Sequence, residues 1–97
     1  MNIGKFSKSP DERKRYLIDY ADWLDTGELI TAVTFEVIPA DTGHVVIDAI
    51  TIETGQQKAV FYASAGVEGK SYKAIATMTT TGGQIKEDTV QYTVKAP

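Results

Sequence analysis

The chain contains no cysteine, which excludes a disulfide framework and any thiolate metal site. Its one histidine, His44, cannot build a zinc centre alone. Long apolar runs are missing too. Val45-Val46-Ile47 is among the longest, whereas a bilayer span needs about 20 apolar residues, so no membrane crossing is expected. Lys5, Phe6 and Ser7 open no apolar h-region, and no Sec-type signal peptide is expected either. Positive charge is short as well. The net charge is −3, and neutralising phosphates takes clustered lysine and arginine, so nucleic acid is not expected as the main partner. The one basic cluster, Arg13-Lys14-Arg15, directly follows Asp11-Glu12 and reads as a solvated or interface face.

What the chain does have is strand signal. At 97 residues it makes one domain, burying about 60–65% of the surface its unfolded form exposes; stability is modest unless partners add burial. The stretch 15–27 organises the rest. Tyr16, Ile18 and Tyr20 alternate with Leu17 and Asp19, a period of two that predicts a strand with one buried face. Asp22-Trp23-Leu24-Asp25 breaks the alternation, and Thr26-Gly27 closes a corner, since glycine tolerates the positive φ such turns need. Trp23, the one tryptophan, is expected to plug an end of the core, its apolar surface outweighing the cost of ordering one side chain.

The next strand, 29–37, puts Val33, Phe35 and Val37 on the core side, and Pro39 ends it. Residues 44–52 carry apolar groups on both faces, which predicts a bulge near Asp48. A fourth strand covers 58–64, with Phe61 or Tyr62 inward. In the fifth, Tyr72, Ala74, Ala76 and Met78 share a face. Thr81-Gly82-Gly83 predicts a hairpin, and the last strand, 85–95, turns Val90, Tyr92 and Val94 inward. Short strands separated by Gly- and Thr-rich turns, with no amphipathic helix, predict an all-β fold, an antiparallel β-sandwich of six to seven strands.

Residues 1–8 show no periodicity and read as an extended arm, mobile in the isolated chain. Its aromatic, Phe6, either folds onto its own domain or docks into a neighbour. Ser9-Pro10-Asp11-Glu12 combines an N-cap, a proline suited to the first helical position and the glutamate of a capping box. That predicts a single helical turn at 10–14, at the start of one domain spanning 9–97. Phe6, Pro10, Arg13, Lys14 and Arg15 are the residues expected to meet a partner.

Three patterns invite a chemical reading. Leu24-Asp25-Thr26-Gly27 matches the loop of retroviral-type aspartic proteases, in which two subunits place their carboxylates about 3 Å apart to share a proton. The match stops at the tripeptide. Glu28 follows where a small residue belongs, and neither the second apolar-apolar-Gly loop nor the C-terminal helix appears between Gly83 and Pro97. Asp41-Thr42-Gly43 repeats the tripeptide as ordinary turn chemistry. Asp19, Asp22, Asp25 and Glu28 suggest calcium by spacing, but Trp23-Leu24 interrupts any loop of alternating oxygen ligands. The hydroxyl and lysine nucleophiles have no His or Cys partner at a readable spacing, and His44 is expected to be exposed in a turn. No catalytic, cofactor-binding or metal-ligating residue is assigned.

Taken together, Lys8-Ser9-Pro10 with Glu12-Arg13, then Tyr16, Ile18-Asp19-Tyr20, Asp22-Trp23-Leu24 and Asp25-Thr26-Gly27-Glu28, resemble small Ig-like virion proteins of tailed bacteriophages. These are the tail or fibre–tail adaptor proteins. Gly69-Lys70-Ser71-Tyr72, Thr79-Thr80-Thr81-Gly82-Gly83 and Val90, Tyr92, Val94 fit the Gly-x-x-Tyr strand, hairpin and closing strand common to many Ig-like sandwiches. Residues 39–57 depart from the pattern, being longer and poorer in glycine. The resemblance implies an Ig-like sandwich and a non-enzymatic structural subunit of the virion. It would be present in several copies, assembled in the host cytoplasm, and would bridge the tail or neck to fibres or neighbouring subunits. Head decoration, and a carbohydrate- or host-receptor-binding module, are the competing roles.

Overall fold

The structure, a computed structural model, describes residues 2–97. Seven strands make up its regular structure: β1 (Asn2–Lys8), β2 (Lys14–Asp19), β3 (Ile30–Ile38), β4 (Val45–Ile52), β5 (Lys58–Ala65), β6 (Ser71–Thr80) and β7 (Ile85–Val94). They form a four-stranded sheet in the order β1-β7-β6-β3 and a three-stranded sheet in the order β2-β5-β4. Neighbouring strands pair antiparallel except β1 and β7, which run parallel. The expected sandwich is what the chain builds.

The alternation seen in the sequence explains the packing. Tyr72, Ala74, Ala76 and Met78 of β6 and Asp88, Val90, Tyr92 and Val94 of β7 all point inward and are buried. Small Ala74 and Ala76 leave room for an aromatic layer drawn from both sheets. Phe61 of β5 is its centre, with ring centroids 4.5 Å from Phe35 of β3 and 5.6 Å from Tyr16 of β2. Tyr62, the other candidate, faces outward. Val33, Phe35 and Val37 lie against the core, partly buried. The register of β4 shifts between Asp48 and Thr51, where Ala49 adopts a φ of 50°, so the expected bulge is there and explains apolar groups on both faces.

Three expectations change. First, residues 2–8 are not a free arm: they form β1, in register with β7 from Gly4 opposite Val90 to Lys8 opposite Val94 (Met1 lies outside the described residues). β7 would otherwise present unpaired backbone groups along its outer side. Lys8 is buried, its ammonium donating to the carbonyls of Ser9 (2.6 Å) and Ala65 (2.5 Å), which pins the end of the strand.

Second, residues 10–14 form no helical turn. The Glu12 N–H donates to the Ser9 carbonyl at 3.2 Å in a tight turn, and β2 begins at Lys14 because its backbone groups pair with β5. One half of the capping box survives, with Glu12 Oε1 accepting from the Ser9 N–H at 2.7 Å. That contact holds the Glu12 carboxyl below its ordinary pKa. Third, Trp23 does not plug the core. The Trp23 and Leu24 N–H groups both donate to the Tyr20 carbonyl (2.9 and 3.0 Å), curling the corner so that Leu24 meets the core and Trp23 stays 37% exposed.

Candidate docking surface

The crossover through residues 9–13 carries the chain from β1, at one edge of its sheet, to β2, at one edge of the other; β3 and β4 lie at the opposite edges. β1 and β2 thus lie on the same side of the sandwich, spanned by the Phe6 ring at 4.8 Å from Tyr16 and 6.0 Å from Tyr92. Each has a partner on one flank alone, so the outer backbone groups of each are open to another strand. Ile3, Phe6, Leu17 and Trp23, four of the eight exposed large apolar side chains among the described residues, line this side.

Beside the ring bridge, a groove of about 630 Å³ opens between β1, β2, β7 and the Trp23 corner. Ile3, Leu17 and Trp23 form its apolar walls, and exposed Asp19 and Asp22 its rim. The floor is polar. Asp88, only 2% exposed, accepts from Lys86 Nζ at 2.6 Å, and that ammonium lies 5.8 Å from the centroid of the Trp23 ring. Tyr20, also lining the groove, is 2% exposed and its hydroxyl has no hydrogen-bond partner among the described residues. Burial, with nearby Asp88 adding to it, pushes that phenol up to about 12.

The residues expected to meet a partner divide into two groups. Phe6, 41% exposed, Pro10 in the crossover and Lys14, whose ammonium lies 5.9 Å from the Tyr16 ring, sit on the β1–β2 side. Arg13 and Arg15 instead spread over the outer face of the three-stranded sheet. Arg13 stacks 4.1 Å from the Tyr62 centroid and pairs with Asp48 at 3.0 Å; Arg15 pairs with Glu53 at 3.0 Å.

Of the groove residues, Asp19, Tyr20, Asp22 and Trp23 stand in the stretch that the sequence singles out, whereas Asp88 and Lys86 do not, although both fall on the inward parity of Val90, Tyr92 and Val94. A charged pair on a core-facing stripe was the available signal.

The carboxylates that suggested other chemistry have local uses. Asp25-Thr26-Gly27 is a turn, with the Glu28 N–H donating to the Asp25 carbonyl at 2.9 Å and Gly27 at φ 81°. Asp25 Oδ2 accepts from Gln84 Nε2 at 3.0 Å. Glu28 is buried and accepts from the Thr80 hydroxyl (2.5 Å) and from Gln84 Nε2 (3.1 and 3.2 Å). Thr80 above all, then the Asp25 N–H and Gln84, hold its carboxyl below the ordinary value of 4.5. A Cβ at Gly82 would fall 2.5 Å from Glu28 Oε2, so a side chain there would push this carboxylate out of its place. Asp19 accepts from the Ala21 N–H at 2.9 Å, and Asp41 pairs with Lys70 at 2.6 Å. Among the described residues, no cluster of His, Asp or Glu is placed to hold a metal ion. His44 is half-buried, its Nδ1 2.6 Å from the Val45 carbonyl oxygen.

No curated protein matches the chain. The family described as podophage GP4 fiber-tail adaptor protein gp77 does match, from Lys8 at the end of β1 to Thr93 near the end of β7 (residues 8–93), and the chain belongs to that family.

Proposed function

We propose that this chain is a non-enzymatic structural subunit of the phage virion that links the tail or neck to fibres or to neighbouring subunits. It docks through its β1–β2 side. The observation that carries the reading is the family match over residues 8–93; the shape of the molecule supports it. A sandwich 43 Å long and about half as wide (21 × 19 Å) suits a spacer, and its open edge strands suit a partner strand, which gains affinity from backbone hydrogen bonds.

Phe6, Pro10 and Lys14 contact the partner along that side. Arg13 and Arg15 give up their pairs with Asp48 and Glu53 to carboxylates of an adjoining subunit. Exposed ion pairs are worth only about 0–1 kcal/mol, so such an exchange is cheap. Several copies assemble with tail, portal–neck or fibre proteins in the host cytoplasm, without nucleic acid or membrane.

The test is co-sedimentation of the purified protein with tails, with portal–neck assemblies and with empty capsids, each prepared from particles lacking it. Saturable binding to tail or neck is the expected result. Binding to the capsid lattice alone would replace the adaptor reading with head decoration.

A further inference from the structure

The groove beside the ring bridge has a more specific chemistry than an apolar patch. We propose that it receives an extended segment of a partner protein carrying a lysine or arginine, which lays its stem along Leu17 and Ile3 and its charged head between Asp19, Asp22 and the Trp23 ring. The identity of the partner as a virion protein rests on the adaptor reading; the chemistry of the groove does not.

Three observations select this occupant. The first is charge. Among the described residues, Asp19, Asp22 and Asp88 face the groove against one cation, Lys86, and that cation is already spent on Asp88 at 2.6 Å. Two carboxylates therefore remain unbalanced at the rim, which repels an anionic segment. Asp19 is also fixed in place by the Ala21 N–H.

The second is the wall. Long basic side chains bury their methylene stems on apolar surface while the head stays polar, and an indole face within about 6 Å attracts a cation. Ile3, Leu17 and Trp23, exposed by 36, 44 and 37%, provide both kinds of surface. The third is the floor. The Lys86–Asp88 pair makes it charged, and a purely apolar segment seated on it would strip its water without replacing the hydrogen bonds. The segment is extended because β2, paired only with β5, borders the groove with its free edge.

Trp23 is the sole tryptophan of the chain, so its fluorescence reports on the groove directly. The isolated protein is titrated with a blocked pentapeptide alternating leucine and arginine, and with versions carrying glutamate or serine in place of arginine. The arginine peptide is expected to shift the emission saturably and to bind at least about tenfold more tightly than the glutamate peptide. Asp19→Asn and Asp22→Asn should each weaken it by about threefold, the scale of an exposed charge pair, with unchanged melting temperature.

Equal binding of the serine peptide would mean that the groove is merely apolar. No saturable response, or a response unaltered in both Asn variants, would overturn the proposal. So would sedimentation showing that the groove is filled by a second copy of the chain. The titration uses no virion component, so its failure leaves the adaptor reading standing. Loss of tail binding with the peptide response intact would retire the adaptor reading and keep the groove.

Discussion

The two open sides of the sandwich are closed by different means. On one, β3 and β4 approach at the backbone. Ile30 donates its N–H to the Gln56 carbonyl at 2.9 Å and accepts from the Gln56 side chain at 3.2 Å. Val33, Phe35, Val37, Ile47 and Ile52 pack inward behind them. On the other, β1 and β2 are joined across the gap by rings, Phe6 to Tyr16 to Phe61, and the groove lies open beside them. Each side carries two strand edges, since β3 and β4, like β1 and β2, have one ladder partner apiece. The first brings its backbones together, whereas the second leaves a groove with apolar walls and a carboxylate rim open at the surface.

The comparison is most easily broken at Phe61, whose ring serves both sides. Phe61→Ala is expected to cost about 3–5 kcal/mol in chemical denaturation, a large share of the 5–15 kcal/mol typical of a whole domain. A cost below about 1 kcal/mol would mean that the two sides are held independently.

Phe6→Ala removes the bridge from one side only. With its ring half in solvent and two aromatic neighbours, the expected cost is about 1–2 kcal/mol, measured the same way. A cost as large as that at Phe61 would show that β1 is part of the core rather than a strand laid over its edge.

Acid sharpens the comparison at the corner that joins the two sheets. Glu28 is held below its ordinary pKa by Thr80, Asp25 and Gln84, so its contribution is fully present above about pH 4.5 and is lost as pH falls through the depressed folded value. Thermal melts of Glu28→Gln should therefore lie below wild type at neutral pH and converge with it in acid. Parallel curves across that range would remove Glu28 as a fastener.

Trp23→Ala is expected to have the smallest effect, under about 1 kcal/mol, because over a third of the side chain already meets water. A melting temperature lowered as far as in Phe61→Ala would place Trp23 back in the core.

Much of this fold was legible from alternation alone. The inward faces of β6 and β7, the bulge in β4 and the Gly82-Gly83 hairpin all follow from period two and turn chemistry. Two elements were not. β1 carries no alternation, because as an edge strand on β7 its side chains are mostly exposed; its pairing is decided by the needs of a distant strand.

Trp23 misleads in the opposite way. Its size argues for burial, yet its backbone sits in a corner outside the strand parity, and Leu24 takes the inward direction. The docking side was legible only in part. Phe6 and Lys14 lie on it, whereas Arg13 and Arg15 are carried off by Asp48 and Glu53, partners some 35 residues away that local reading could not supply. Conversely, Asp88 and Lys86 showed their unusual position by parity and were passed over because neither belongs to a known motif.

The measurement that bears most directly on the account is backbone amide hydrogen exchange of the protein free and bound to tail or neck assemblies. New protection is predicted along β1, β2 and the 20–24 corner, with β3 and β4 exchanging as they do in the free molecule. Protection gained on β3 and β4, with the β1–β2 side unchanged, would contradict it.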